Sequence, residues 1–554
     1  MRLGYVGIRN YRGIGQLELP IDPVTTLIGE NAYGKSNLLD ALLACLGAGA
    51  ADGTFAFTAE DLGARPDAPV EIELGFRETP DDEWCVDPEC ELLRSYVYQG
   101  VRGDRRISFR VRAEPARHGG ADESTPLPTS IAFLDRTGNT IGPVPSGEVV
   151  SLLRARCPFI LLKADRYFTR PSRSPREPTR PLSIEERLAA EISEAYQSLM
   201  SPHDPQHEAT VHGGIDAAKA YVERFGGDRL RERVRHFLPE LPHSPTGTGV
   251  SLAARSMALM LVIGALLDAR AVRTFGPRSL PILAIEDAEA NLHPVLLAAV
   301  ASIIAAIPAQ KLITTNSGEL ISMLPLPSIR RLVRTDGHTT VHRLERTTLS
   351  NDELRRVGFH VKANRGGAFF ARAWLLVEGE TEFWLLPQLA ELLGVDLPLE
   401  GIRIMEFAQC GVEPLVKLAD DLGIGWHLLV DGDNAGRGYL TVAEGVLRGR
   451  GAGEHLTRIQ ERDIEHCLWN AGYADVYRNA VRSASPRRAG RVQRIENPTP
   501  TIERALRART KPGMAVEVAE AAAHRGAAGV PEPIRAAIEA CVRIARSSGP
   551  GPVR

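Results

Sequence analysis

Apolar residues in this chain fall into short solid runs separated by longer helical patterns, which predicts an α/β protein. Near the start the pattern is finer. Leu3, Tyr5 and Gly7, then Leu17 and Leu19, alternate with polar positions, as two paired strands within residues 3–28 would. Solid runs predict strands at 24–28, 70–76, 107–113, 158–163, 280–285 and 311–315. Helical periodicity predicts helices at 38–46, 183–200, 215–238, 246–268 and 294–306, the second and third forming an inserted hairpin. Residues 114–130 read as an exposed loop, 169–181 as an Arg/Pro/Ser-rich linker and 549–552 as a frayed tail. A second α/β block starts near Ala371, with strands at 374–377 and 427–430.

Length and composition add bounds. A chain of 554 residues is too long for one core, and about two to four domains are expected. No apolar run approaches a membrane span and no leader pattern opens the chain, so a cytoplasmic protein with no membrane partner is expected. Seven scattered cysteines suggest reduced thiols; Cys85 and Cys90 lie closest, with no second pair to complete a zinc site. The net charge of −3 means that any nucleic-acid surface must be local. One stretch qualifies. Residues 478–511 carry ten basic side chains (Arg478, Arg482, Arg487, Arg488, Arg491, Arg494, Arg504, Arg507, Arg509 and Lys511) against Glu496 and Glu503, a net of +8.

The first candidate chemistry follows the strand at 24–28. Gly29, four residues and Gly34-Lys35-Ser36 stand between a strand and a helix, the context a P-loop requires. Gly29, Asn31, Gly34, Lys35, Ser36 and Asn37 are the candidate ATP-binding residues of this stretch. Lys35 would reach the β/γ-phosphates and Ser36 would ligate Mg²⁺. Much further on, Ile282-Leu283-Ala284-Ile285 ends in Glu286-Asp287, a buried strand delivering two carboxylates. Glu286 is assigned to the Mg²⁺ shell and Asp287 to activation of the attacking water.

Here the chain resembles a known branch. I-E-D-A-E-A-N-L-H-P at 285–294 resembles the extended Walker B and D-loop of RecF/SMC-like ABC ATPases, and Ile8–Gly13 resembles their I-x-N-[FY]-R-G opening. Residues 246–251 lie where the ABC signature would sit. The resemblance implies an ATPase head that dimerises around ATP. The chain departs from the pattern in three places: Glu286 and Asp287 reverse the commoner Asp-Glu order, the signature lacks Leu-Ser, and Asn316 replaces histidine. Asn316 can hydrogen-bond a γ-phosphate but cannot take up a proton near neutral pH, so slow hydrolysis is expected.

The second candidate chemistry is an oxygen-rich centre. The strand at 374–377 ends in Glu378-Gly379-Glu380-Thr381-Glu382, and that at 427–430 ends in Asp431-Gly432-Asp433. Two buried strands delivering carboxylates to one sheet edge suit Mg²⁺, Mn²⁺ or another hard divalent cation, and the residue types do not suit zinc. V-E-G-E and D-G-D resemble the TOPRIM fold of topoisomerases, primases and some nucleases. Arg462-Asp463-Ile464-Glu465 and Thr510-Lys511-Pro512 narrow the resemblance to the overcoming-lysogenization-defect (OLD) nucleases. It implies a two-metal site of Glu378, Asp431, Asp433, Glu382 and Glu465, with Lys511 stabilising the pentavalent phosphate, and leaves the role of Glu380 open.

The expected plan is an ATPase head at 1–168 and 246–365, a helical dimerisation insert at 169–245 and a TOPRIM nuclease domain at 366–554. The expected function is an ATP-dependent or ATP-regulated, metal-dependent DNA endonuclease, a homodimer through its heads and insert, serving phage defence or DNA repair. The alternative is a RecF-like DNA clamp or damage sensor that does not cut, for which Glu378, Asp431, Asp433 and Lys511 would have no use.

Overall fold

The computed structural model describes residues 1–163, 279–484 and 497–547, except 31–32, 48–54, 56, 80–83, 85–86, 102, 116–125, 291, 336–337 and 364; it adds positions 222, 231 and 232, and gives backbone alone at 89, 295, 335 and 363. The expected linker and insert (169–245, apart from 222, 231 and 232), the signature-like turn and its helix (246–268), Asn31, Cys85, Arg487, Arg488, Arg491 and Arg494 lie outside the described residues. Contacts divide the chain into two compact units, Met1–Val341 and His342–Arg554. Among the described residues no helix is long and apolar enough to cross a membrane.

The first unit is built on β1 (Arg2–Tyr11), β2 (Ile14–Pro20), β3 (Val24–Ile28), β4 (Val70–Arg77), β5 (Tyr98–Gln99), β6 (Arg105–Ala113) and β7 (Thr129–Leu134). It continues with β8 (Phe159–Leu162), β9 (Ile282–Ile285), β10 (Gln310–Thr314), β11 (Ile329–Thr335) and β12 (His338–Arg343). All join one sheet in the order β5-β6-β4-β1-β2-β12-β11-β3-β10-β9-β8, with β7 on β6. One side of this sheet is antiparallel (β1 with β2 and β4, β4 with β6) and the other is parallel (β8, β9, β10, β3, β11). β9 and β10 are buried at every position, as strands covered on both faces are.

The alternation read at the start of the chain changes phase. Leu3 enters the core, but a register shift between Leu3 and Tyr5 inserts an extra residue, and Val6 and Ile8 follow it inward. Tyr5 is left half-buried. A bulge inverts every later side chain on a strand of period two, which periodicity alone does not reveal.

The second unit holds a four-stranded sheet of β13 (Ala373–Val377), β14 (Ile402–Glu406), β15 (Gly425–Val430) and β16 (Leu456–Arg458). Its order is β14-β13-β15-β16 and every pairing is parallel. Trp374, Leu375, Leu376, Val377, Trp426 and Leu428 are fully buried, so the strands read as solid apolar runs. All four strands therefore end at one edge, where ligands of open parallel sheets bind.

Candidate active sites

The first site forms because β3 lies between β11 and β10, parallel to both, with β9 beyond β10. Their carboxyl ends deliver Gly29, Gly34 and Lys35, Thr314–Asn316 and Glu286-Asp287 to the same sheet edge. Helix α1 (Lys35–Leu46) starts there, behind Gly34. Gly34 has φ 88, a left-handed conformation that side chains disfavour, and it brings no side chain to cap the first-turn amides. A helix start left uncapped in this way is the kind of place where anions bind. Ser36 and Asn37 occupy the first turn, Ser36 exposed.

Lys35 is only 4% exposed, and its Nζ donates to the Gly29 carbonyl and, at 3.0 Å, to Asn316 Oδ1. Burial lowers its pKa while Asp287, Glu289 and Glu30 pull it back up. Asp287 sits in the left-handed region at φ 45, and its backbone N–H donates to Thr314 Oγ1 at 2.9 Å. Burial raises its carboxyl, Glu289 adds to the rise and Lys35 opposes it. Aspartate tolerates this conformation better than most side chains, and here it sets the carboxylate close enough to Lys35 for the two charges to act on each other. Glu286 is half-buried, and its N–H donates to the Leu162 carbonyl at 2.8 Å.

Glu289 has no assigned role in the sequence reading, yet it holds this edge together. Its Oε1 accepts the Asn316 N–H at 2.7 Å and its Oε2 accepts the Thr315 hydroxyl at 2.7 Å. The one signal available was a second acid two residues beyond Asp287.

The second site lies at the carboxyl edge of the second sheet. Glu378 follows β13 directly, and Gly379 opens α2 (Glu380–Leu392), which carries Thr381 and Glu382 in its first turn. Asp431 follows β15, and Asp433 caps α3 (Asn434–Gly445) by accepting the Gly436 N–H at 2.7 Å. Glu465 stands on α4 (Ile464–Leu468), capped by Asp463. Lys511 is the exposed first residue of α5 (Lys511–Ala523), behind Thr510, whose φ of 67 is unusual for a β-branched residue. Glu380 opens α2 facing solvent.

These acids act on one another. Burial first, then Glu465 and Glu378, push the Glu382 carboxyl up to about 8. Burial, Glu382, Glu378, Asp463 and Glu465 push Asp431 up to about 8. Burial, Asp433, Glu465 and Asp463 raise Glu378, with Lys511 opposing. Glu378 Oε2 and Asp431 Oδ1 are buried with no hydrogen-bond partner. Asp463, within the R-D-I-E segment, adds its negative charge to the rise at both Glu378 and Asp431.

Among the described residues no three His, Cys, Asp or Glu side chains converge closely enough to enclose an ion, so the expected two-metal cage is not preassembled. The donor set nonetheless suits a hard divalent cation. It is all carboxylate oxygen, two of its buried atoms lack partners, and its mutual repulsion is what a cation relieves.

The raised carboxyls set a pH dependence. Glu382 and Asp431 sit above their ordinary values of 4.5 and 3.8, so their protonated forms stabilise the fold. That contribution is complete below the ordinary values and is lost as pH rises to about 8. The Tm in chelator is expected to fall over this window, and Mg²⁺ to raise it most at the alkaline end. A Tm gain from Mg²⁺ that shrinks as pH rises would contradict the assignment.

The basic stretch is partly neutralised where described. Arg478 pairs with Asp475 at 2.9 Å and lies over the Trp469 ring, Arg509 pairs with Glu517 at 2.8 Å, and Arg507 lies 3.8 Å from Glu503. Among the described members of the stretch, Lys511 is one whose charge reaches the acids.

Gly436 tests the turn itself. A Cβ there would stand 2.0 Å from the Asp431 carbonyl oxygen, an impossible contact with backbone. Gly436→Ala is expected to displace Asp431 and to lower Mn²⁺ affinity at least about tenfold, the cost typical of disturbing a ligand's support. Unchanged affinity by calorimetry would show that this turn does not set the centre.

An α/β unit with a P-loop-like turn between strand and helix, followed by a unit with an all-parallel four-stranded sheet, is the class of protein this fold defines. A family model described as "Protein of unknown function (DUF2813)" matches residues 1–368, and one described as "Overcoming lysogenization defect protein-like, TOPRIM domain" matches 369–433. The uncharacterized protein YbjD of Escherichia coli (strain K12) is 31% identical over 577 aligned positions, covering 99% of each chain. The chain belongs to the DUF2813 family, with a TOPRIM module of the OLD kind. Among solved structures, the C-terminal region of the Xanthomonas campestris pv. campestris OLD protein matches with 24% identity, 32% of this chain, 95% of that one and a TM-score of 0.27. The SMC head domain from Thermotoga maritima matches with 12% identity, 62% of this chain, all of that one and a TM-score of 0.31.

Proposed function

We propose that this chain is an ATP-dependent or ATP-regulated DNA endonuclease that hydrolyses phosphodiesters at the acidic centre of its second unit. The observation carrying the proposal is the convergence of Glu378, Glu382, Asp431, Asp433 and Glu465, with Lys511 acting on the same acids, at the carboxyl edge of an all-parallel sheet. A clamp that never cuts has no use for buried, mutually repelling carboxylates, which burden its stability.

Glu378, Asp431, Asp433, Glu382 and Glu465 would hold divalent ions, Mg²⁺ or Mn²⁺, with Glu382 and Glu465 buried and the other three partly open to an entering ion and substrate. When bound, such ions supply charge stabilisation to the attacking and leaving oxygens of an in-line displacement. Lys511, exposed at the start of α5, meets the substrate phosphate and balances its developing charge. In the head, Gly29, Asn31, Gly34, Lys35, Ser36 and Asn37 hold ATP, Glu286 supports its Mg²⁺ and Asp287 orients the attacking water, with Asn316 at the γ-phosphate. Asn316 carries no titratable proton, so turnover stays below the enzyme median of about 10 s⁻¹.

The domain plan is a head of 1–168 and 246–365, a dimerising insert at 169–245 and a nuclease from 366 to 554; the working form is a homodimer through heads and insert. Phage defence and DNA repair are the settings this activity fits. The test is supercoiled plasmid incubated with the full chain and Mg²⁺ or Mn²⁺, with and without ATP. Nicked or linear product is expected. ATP-dependent DNA retention without any cleavage would overturn the nuclease reading in favour of the clamp.

A further inference from the structure

We infer that Thr381 is a positioning residue of the acidic centre: its hydroxyl fixes Glu465 in the orientation that receives a divalent cation. The inference rests on the reading that this centre binds such a cation. Thr381 is 2% exposed and Glu465 is 5% exposed, and the Thr381 Oγ1 donates to Glu465 Oε1 at 2.8 Å. The two residues lie 84 positions apart, so this bond ties the first turn of α2 to α4 across the site.

The pattern of satisfied and unsatisfied oxygens gives the bond its meaning. A threonine hydroxyl has one proton to give, and here it goes to a carboxylate, away from the carbonyls of its own helix. Glu378 Oε2 and Asp431 Oδ1, in the same cluster, are buried without any partner. Two acids thus present bare oxygens while a third is locked by a donor on one oxygen, leaving its other oxygen for the ion. Thr381 stands between Glu380 and Glu382 in the chain, so the helix turn that brings Glu382 into the centre also brings the hydroxyl that orients Glu465. Partners of this type, one step behind the ligands, typically govern about 10- to 100-fold in metal affinity.

The test uses the full chain and Mn²⁺ alone as the probe, with affinity read by calorimetry and Tm read in chelator. Thr381→Val keeps the shape and loses the hydroxyl; Thr381→Ser keeps the hydroxyl. Thr381→Val is expected to bind Mn²⁺ about 10- to 100-fold more weakly, and Thr381→Ser to stay within about threefold of wild type. In a Glu465→Gln background, Thr381→Val is expected to add little further loss, because its partner is already changed. Wild-type affinity in Thr381→Val, equal losses in the Val and Ser variants, or full additivity with Glu465→Gln would each overturn the inference. Absence of Mn²⁺ binding by the wild type would instead overturn the metal reading on which it rests.

Discussion

Glu378→Ala is expected to abolish DNA cleavage, by at least about 10³-fold, while ATP hydrolysis stays within about twofold of wild type. The magnitude follows from losing a ligand to ions that contribute several kcal/mol at the transition state, each 1.36 kcal/mol being tenfold in rate. The site's geometry also separates this loss from misfolding. Glu378 Oε2 is buried without a partner, and burial, Asp433 and Glu465 all disfavour its charged form. Removing such a group relieves repulsion, so the Tm in chelator is expected to hold or rise. A variant that loses cutting while gaining metal-free stability carries a functional carboxylate. A variant that cuts normally would show the acidic centre to be scaffold.

Lys35→Ala is expected to lower ATP hydrolysis by about 10²- to 10³-fold, the cost of removing one preorganised donor from a charged transition state. Lys35 sits almost fully buried, bonded to the Gly29 carbonyl and Asn316, with burial working against its charge. The chain keeps a desolvated ammonium there at a cost to folding, which a phosphate-binding role explains. Cleavage by this variant then reports the coupling. Reduced cleavage means ATP licenses the nuclease, raised cleavage means ATP restrains it, and wild-type cleavage would show the head and the nuclease to be uncoupled.

Both centres were legible in the sequence because each is built from strand ends. A solid apolar run followed by Gly29–Lys35, Glu286-Asp287, Glu378 or Asp431 places a functional group at a sheet edge with no knowledge of what packs around it. What escaped depends on tertiary neighbours. Glu289 acts through Thr315 and Asn316, Thr381 through Glu465, and Asp463 through the charges of Glu378 and Asp431. No spacing rule joins residues that meet only after folding. The phase of β1 escaped for a related reason, since the shift between Leu3 and Tyr5 is a feature of pairing with β4. The basic stretch shows the reverse error: its charge was countable, but the acids facing Arg478, Arg507 and Arg509 come from the helical spacing and packing around them.

Everything proposed for the second unit turns on whether the carboxylates at the edge of β13 and β15 form a metal-dependent phosphodiesterase centre. Conversion of supercoiled plasmid in Mn²⁺ by wild type and by Glu378→Ala, side by side with chelator controls, tests it most directly. Wild type is expected to give nicked or linear product that chelator prevents, and Glu378→Ala to leave the plasmid intact. Intact plasmid from wild type, or equal cutting by both proteins, would contradict it.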